Sequence, residues 1–171
     1  GGEATQGMER FPYNTLNAEN PGISGFGDLY QNINQMNLFI SRTLHTDVLT
    51  ESARNYYLGQ VYGLRAYYMY QLYRSWGDVV FTEEPSLGFE VGKLAKAATP
   101  AAEIFEQVKK DIESSLSYFG SDYTIKEKKS LWSKAATLML KADVYLWSAH
   151  RDGGEGDART AKNALVDIQN N

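Results

Sequence analysis

Few side chains in this 171-residue sequence could do acid, base or metal chemistry: it has no cysteine and only two histidines, His45 and His150. Without thiols there is no disulfide, no thiolate metal site and no cysteine nucleophile. Each histidine falls near a predicted helix end with no Ser or Asp partner in a recognised motif, so both read as surface residues. Glu83 and Glu84 are adjacent on an extended stretch. Neighbouring side chains there point to opposite faces, which does not suit a carboxylate pair and leaves both solvated. RDGGEGDAR, Arg151 to Arg159, has the glycine and acid content of a calcium loop. Counted from Asp152, however, it puts Gly at the third and fifth positions and Asn163 where the bidentate Glu belongs, so it reads as a turn. GISGFG, Gly22 to Gly27, lacks both the spacing and the preceding strand of a dinucleotide fingerprint, and KEKK, Lys126 to Lys129, is a solvated turn. No cofactor, metal or catalytic residue is expected.

What remains is recognition by aromatic and amide side chains. RAYYMYQLYRSWGDVVFTEEP, Arg65 to Pro85, is dense in rings, and Tyr56, Tyr57, Tyr62, Tyr67, Tyr68, Tyr70 and Tyr73 would go all round a helix. Packing claims most of them, and the rest face solvent, a partner or another segment. Tyrosine suits either role, because it buries a large ring while its hydroxyl finds a partner, and the same ring stacks on sugar faces. Arg65 reads as half of a structural ion pair. A formal net charge of -4 leaves no basic surplus for nucleic acid. Lys134, Lys141 and Asp143 interrupt the apolar run from Leu131 to Ala149, so no membrane span is expected. The opening GGEATQG has neither the basic nor the apolar region of an export signal.

Helices must position these residues. Residues 1 to 25, rich in Gly, Asn, Pro and Ser, form an irregular leader. From Phe26 to about Leu44, Leu29, Tyr30, Ile33, Met36, Asn37 and Ile40 make a helical stripe. A second helix starts near Thr50, carries Leu58, Val61, Leu64, Tyr68 and Leu72 inward, and ends at Gly77. Gly59, Gly63 and Ala66 form another stripe on it. Mid-helix glycine costs about 1 kcal/mol relative to alanine, so close helix packing is the expected compensation. An extended arm, 77 to 98, follows. Thr99 as N-cap and Pro100 in the first turn open a third helix, with Ile104, Val108, Ile112 and Leu116 inward, and Gly120 closes it. A fourth runs from about Ser130 to His150 with a seam of Ala135, Ala142 and Ala149, Met139 between small residues, and a narrow polar face of Lys134, Thr137, Lys141 and Ser148. Asp157 caps a fifth, with Ala161, Ala164, Leu165 and Ile168 inward. The fold expected is all-α: an irregular tetratricopeptide-like array of antiparallel helix pairs with little sheet, interrupted by the arm.

Three stretches carry a resemblance. LYQNINQMN (Leu29 to Asn37), GLRAYYMYQLYRSWGDV (Gly63 to Val79) and SKAATLMLKADVYLW (Ser133 to Trp147) resemble, in order, the L-Y-x-x-I-x-x-x-N helix, the L-R-A-x-x-Y-x-x-L-x-x-x-W-G-D-V-P signature and the A-A-x-x-L-x-A-x-V-Y-L-W helix of the SusD-like (RagB/SusD) proteins of Bacteroidetes. Phe26 stands in place of the usual tryptophan and Val80 in place of the usual proline. The resemblance covers most of 26 to 171, which would be the tetratricopeptide-like region of a larger SusD-like protein. It implies a structural role for Arg65, Trp76, Gly77 and Asp78, beside Gly59, Gly63, Ala66, Ala135 and Ala142 at helix contacts. It also implies a non-catalytic surface lipoprotein of the outer membrane that binds a glycan or other nutrient and partners a SusC-like TonB-dependent transporter, anchored by a lipid outside this sequence. In that family the segment before the first helix lies near the ligand. Here that segment is FPYNTLNAEN, where Phe11 and Tyr13 offer rings and Asn14, Asn17 and Asn20 offer amides; the other reading, which isolated loop aromatics favour, is a loop that packs Phe11 and Tyr13 against the helices. The other readings are a tetratricopeptide-like protein interaction module, which needs more regular repeats, and a helical glycosidase, for which no sequence feature selects a carboxylate pair.

Overall fold

Thr50 and Gly77 bracket the longest helix. Thr50 is extended and its hydroxyl accepts the Ala53 N–H at 3.3 Å, while Gly77 takes a φ of 72° and returns its N–H to the Tyr73 carbonyl at 3.0 Å. That positive φ is why the residue is glycine. The structure, a computed structural model, describes residues 27–87 and 96–171. Among these the helices are α1 (Gly27–Leu44), α2 (Glu51–Trp76), α3 (Ala101–Phe119), α4 (Lys134–Ser148) and α5 (Gly154–Asn170). Pairing across the described residues outside helices is one antiparallel bridge, Val79 with Thr99. The fold is all-α, as the periodicity required.

Successive helices pack antiparallel. Along α2 and α3, Gly59 meets Phe119, Tyr62 meets Tyr118, Arg65 meets Asp111 and Tyr73 meets Phe105, so one number rises as the other falls. Thr137 with Ser115 and Lys141 with Glu113 show the same order for α4 against α3. The main core holds Ile33 of α1, Ala66, Met69, Tyr70 and Leu72 of α2, Ile104, Val108 and Ile112 of α3, and Leu140 and Val144 of α4. A second, smaller core joins Leu138 and Ala142 to Ala161 and Ala164. Small side chains there let α5 lie close to α4.

Several local expectations fail for tertiary reasons. Thr99 does not cap α3. Its backbone pairs with Val79, and the carboxylate of Asp78, across the arm, accepts the Ala101 N–H at 2.8 Å instead. The fourth helix begins at Lys134, where the Ser133 hydroxyl accepts the Ala136 N–H at 3.3 Å, and not at Ser130. Nor is the polar face of α4 its outer face. Thr137 and Ser148 are buried, whereas Met139, Leu146 and Trp147 are exposed. RDGGEGDAR is no plain turn: Ala149–Gly153 form a π-helical turn that runs into α5 at Gly154, so Asp157 lies inside the helix, packed against Gly153. Leu165 is 42% exposed and does not belong to the inward face, which Ala161, Ala164 and Ile168 supply. The leader lies outside the described residues.

Candidate ligand-binding surface

Arg65 organises this surface. It projects from the middle of α2 into the interior, only 2% exposed, and its Nε and Nη2 each donate to an oxygen of Asp111 on α3 at 2.7 Å. Nη1 donates to Oδ1 of Asn37 on α1 at 2.8 Å. A planar guanidinium matched by a bidentate carboxylate and an amide has its donors directed, which a lysine could not reproduce. Burial alone would lower the Arg65 pKa, but the hydrogen bonds and charge of Asp111 outweigh it and hold the guanidinium above its ordinary value. Burial pushes the Asp111 carboxyl up, against the pull of Arg65 and Gln107.

This hub also fixes the arm. Asn37 Nδ2 donates to the Thr82 carbonyl at 2.6 Å, and the Asn34 amide exchanges two bonds with Ser86, donating at 3.1 Å and accepting at 2.7 Å. Glu83 is exposed, as expected of both glutamates, but also accepts from Gln107 at 3.0 Å and Lys110 at 3.3 Å and lies 3.7 Å from Arg65; Glu84 is exposed too. Between α1 and the arm is a groove of about 320 Å³ lined by Tyr30, Ile33, Asn34, Asn37, Phe81 and Thr82, among others. The amides of Asn34 and Asn37 are already committed to the arm, so beside its apolar and aromatic walls the groove keeps Gln31 and Lys96. A larger cleft of about 590 Å³ opens between the C-terminal end of α2, the start of α3 and the π-helical turn, with Tyr73, Phe105 and Trp147 among its walls. Part of its polar lining is engaged in place: Arg151 donates to the Tyr73 hydroxyl at 2.7 Å, and Lys109 to Glu106 at 3.0 Å, while Asp152 and Asp157 also line it.

Of the residues singled out from the sequence, Gly59, Gly63 and Ala66 are buried on α2, Ala142 is buried and Ala135 half-buried on α4. Trp76 packs against the main core, Gly77 ends α2, and Asp78 caps α3. Phe11, Tyr13, Asn14 and Asn17 lie outside the described residues. Neither histidine joins another titratable group: both are exposed, and His45 Nδ1 sits 2.7 Å from the Ser41 carbonyl. Among the described residues no group of three His, Cys, Asp or Glu could hold a metal ion, and no helix is long and apolar enough to cross a membrane. Asp111, Gln107, Ser115 and Thr137 were not singled out as site residues. The available signal was a polar side chain at or beside an apolar stripe position, as Asp111 stands beside Ile112.

The chain matches the SusD-like family described as "Starch-binding associating with outer membrane" over residues 11–146. It is 34% identical over 113 residues to a SusD-like protein of Formosa agariphila, a match that takes in 64% of this chain and 20% of that one. Among solved structures, NanU of Bacteroides fragilis is 51% identical with a TM-score of 0.88, over 99% of this chain and 34% of that one. A SusD superfamily protein of Bacteroides vulgatus is 50% identical with a TM-score of 0.86, with the same coverage of 99% and 34%. The chain thus spans about a third of the length of these two structures and a fifth of the Formosa protein. With 11–146 of its 171 residues matched and this helical arrangement shared, the chain belongs to the SusD-like family.

Proposed function

We propose that this chain is the tetratricopeptide-like helical part, residues 26–171 behind a leader at 1–25, of a longer glycan-binding protein on the outer membrane, working in a nutrient-uptake system with a SusC-like TonB-dependent transporter. The family match over residues 11–146 carries the reading. The geometry supports it in two ways. An extended arm is clamped onto the helices by Asn34, Asn37 and Glu83, which gives a binding segment a fixed base. Met139, Leu146 and Trp147 on α4 and Leu165 and Val166 on α5 leave apolar surface exposed, as a scaffold that meets a partner requires. The helices act as scaffold and transporter contact, and the anchor is a lipid attached outside this sequence. Glycan contacts come from Phe11, Tyr13, Asn14 and Asn17, whose rings stack on sugar faces and whose amides bond hydroxyls.

Affinity electrophoresis of the longer protein in gels containing soluble starch or other polysaccharides tests this. The expected result is retarded migration with no new reducing ends, weakened by Tyr13→Ala and Asn14→Ala at an unchanged melting temperature. Failure to bind any polysaccharide would overturn the glycan reading. Reducing ends that survive repurification and vanish on mutating one carboxylate would overturn the non-catalytic reading. Isolation from outer membranes without a co-purifying β-barrel transporter would overturn the partnership.

A further inference from the structure

At the end of α2 away from the arm lies a cleft of about 440 Å³ between the first turns of α2 and the last turn of α3, continuing to Asp122. With α2 rising about 1.5 Å per residue, Asn55 is roughly 30 Å from Gly77, so this cleft is remote from the clamped arm. Most of its polar side chains are uncommitted. In the arm groove the amides of Asn34 and Asn37 are spent on the backbone of the arm, and in the larger cleft Arg151 and Lys109 are already paired. Here the side chains of Glu51, Asn55 and Ser121 and the hydroxyls of Tyr56 and Tyr118 make no hydrogen bond to another described residue. Asp122 accepts the Thr124 N–H at 2.9 Å and is held against Thr124.

The two rings are held. Tyr118 stacks on Tyr62 with centroids 5.6 Å apart and 11° between planes, and Tyr56 meets the edge of Phe119 at 6.3 Å with Lys126 Nζ 3.6 Å from its centroid. Rings braced on one side lose little freedom on meeting a ligand with the other. Free acceptors, a free amide, free hydroxyls and braced tyrosines in one concave site match a ligand that carries many hydroxyls and has an apolar ring face. Two carboxylates line the cleft and two lysines stand at its edge, Lys126 over the Tyr56 ring and Lys134 on the Gly120 carbonyl, so it carries no net positive charge to draw an anionic ligand.

We propose that this cleft is a second saccharide subsite, selective for neutral sugar residues, distinct from contacts made by the leader. It rests on the glycan-binding reading above and adds the place and the charge class of the sugar. The test is a titration of the isotopically labelled longer protein, followed by amide NMR, with maltohexaose, mannohexaose, N-acetylchitohexaose and, as the anionic probe, hexagalacturonate. The expected result is that at least one neutral probe shifts the resonances of Asn55, Gly120 and Ser121. Binding should be about tenfold weaker in the Asn55→Ala, Ser121→Ala double variant, whose spectrum stays folded, and hexagalacturonate should leave those resonances in place. No shift there with any neutral probe, an unchanged affinity in the double variant, or a larger shift with hexagalacturonate would each overturn it. Polysaccharide retardation of the longer protein with no response at this cleft sinks the subsite alone, whereas loss of that retardation sinks the glycan reading itself.

Discussion

Two buried polar clusters lie about one turn apart on α2 and hold the helices together by different physics. Around Arg65 the cluster is charged and directional: one guanidinium orients Asp111 of α3 and Asn37 of α1, and Asn37 and Gln107 pass the order on to the arm. Around Gly59 and Gly63 it is neutral and steric. Ser115 donates to the Gly59 carbonyl at 2.6 Å and lies 2.8 Å from the Thr137 hydroxyl, which in turn accepts from Trp132 at 2.8 Å. These bonds exist because two glycines let the neighbouring helix come within reach. The charged cluster positions a segment that leaves the bundle, and the neutral one sets how close three helices lie. A polar core group therefore contributes either direction or proximity.

Removing one partner of the charged cluster should have the largest effect. Asp111→Ala leaves Arg65 buried without its carboxylate, and a cost of about 3 to 5 kcal/mol is expected, read as a drop in the urea midpoint. Replacing both members by apolar residues, Arg65→Met with Asp111→Leu, should recover most of that stability while the arm loosens, seen as faster amide exchange at Val79 and Thr82. Recovery of stability without loosening would break the assignment of direction to this pair.

The neutral cluster should respond to volume. A Cβ on Gly63 would run into the indole nitrogen of Trp132 and stand 2.8 Å from the Thr137 hydroxyl, so Gly63→Ala should cost about 1 to 3 kcal/mol by overpacking, despite the better helix propensity of alanine. A melting temperature that rises would show that propensity, and not approach, governs the site.

Tyrosine burial makes stability pH-dependent only in alkaline solution. Burial pushes the Tyr70 phenol up to about 12, with Asp143 adding to it and Arg74 opposing, and burial also raises Tyr30, Tyr62 and Tyr145. The folded state therefore holds these protons more tightly than the unfolded chain. The stabilisation is complete below pH 10 and is lost as pH climbs toward about 12. Thermal melts from pH 8 upward should be flat and then fall, and Tyr70→Phe should flatten the fall. An identical fall in that variant would remove Tyr70 as its source.

The smallest effect belongs to the rim of the charged cluster. Glu83 is 50% exposed, so Glu83→Gln should change stability by no more than about 0.5 kcal/mol. Amide exchange in the arm should still quicken, because the bonds from Gln107 and Lys110 are weakened. A loss comparable to that of Asp111→Ala would show that the cluster extends to the surface.

Sequence by itself determined the helices and their faces. The apolar stripes on α1 and α3, Thr50 and Gly77 at the ends of α2, and Gly120 after α3 are local signals, carried by residues three or four apart or by backbone angles that glycine alone takes cheaply. It also marked Arg65 as half of an ion pair, since an arginine inside an apolar pattern demands a partner. Which carboxylate answers it was decided only by tertiary structure: Asp111 is 46 residues away, and local spacing carries no information about which two helix faces meet. The same reason separates the errors. Thr99 lost its cap to Asp78 because a residue across the arm reached the first turn of α3, and Thr137 turned inward because Ser115 and Trp132 offered hydroxyl and indole partners there. The cleft beside Asn55 was equally invisible, since its two walls come from opposite ends of α2 and α3 and adjoin only because those helices run antiparallel.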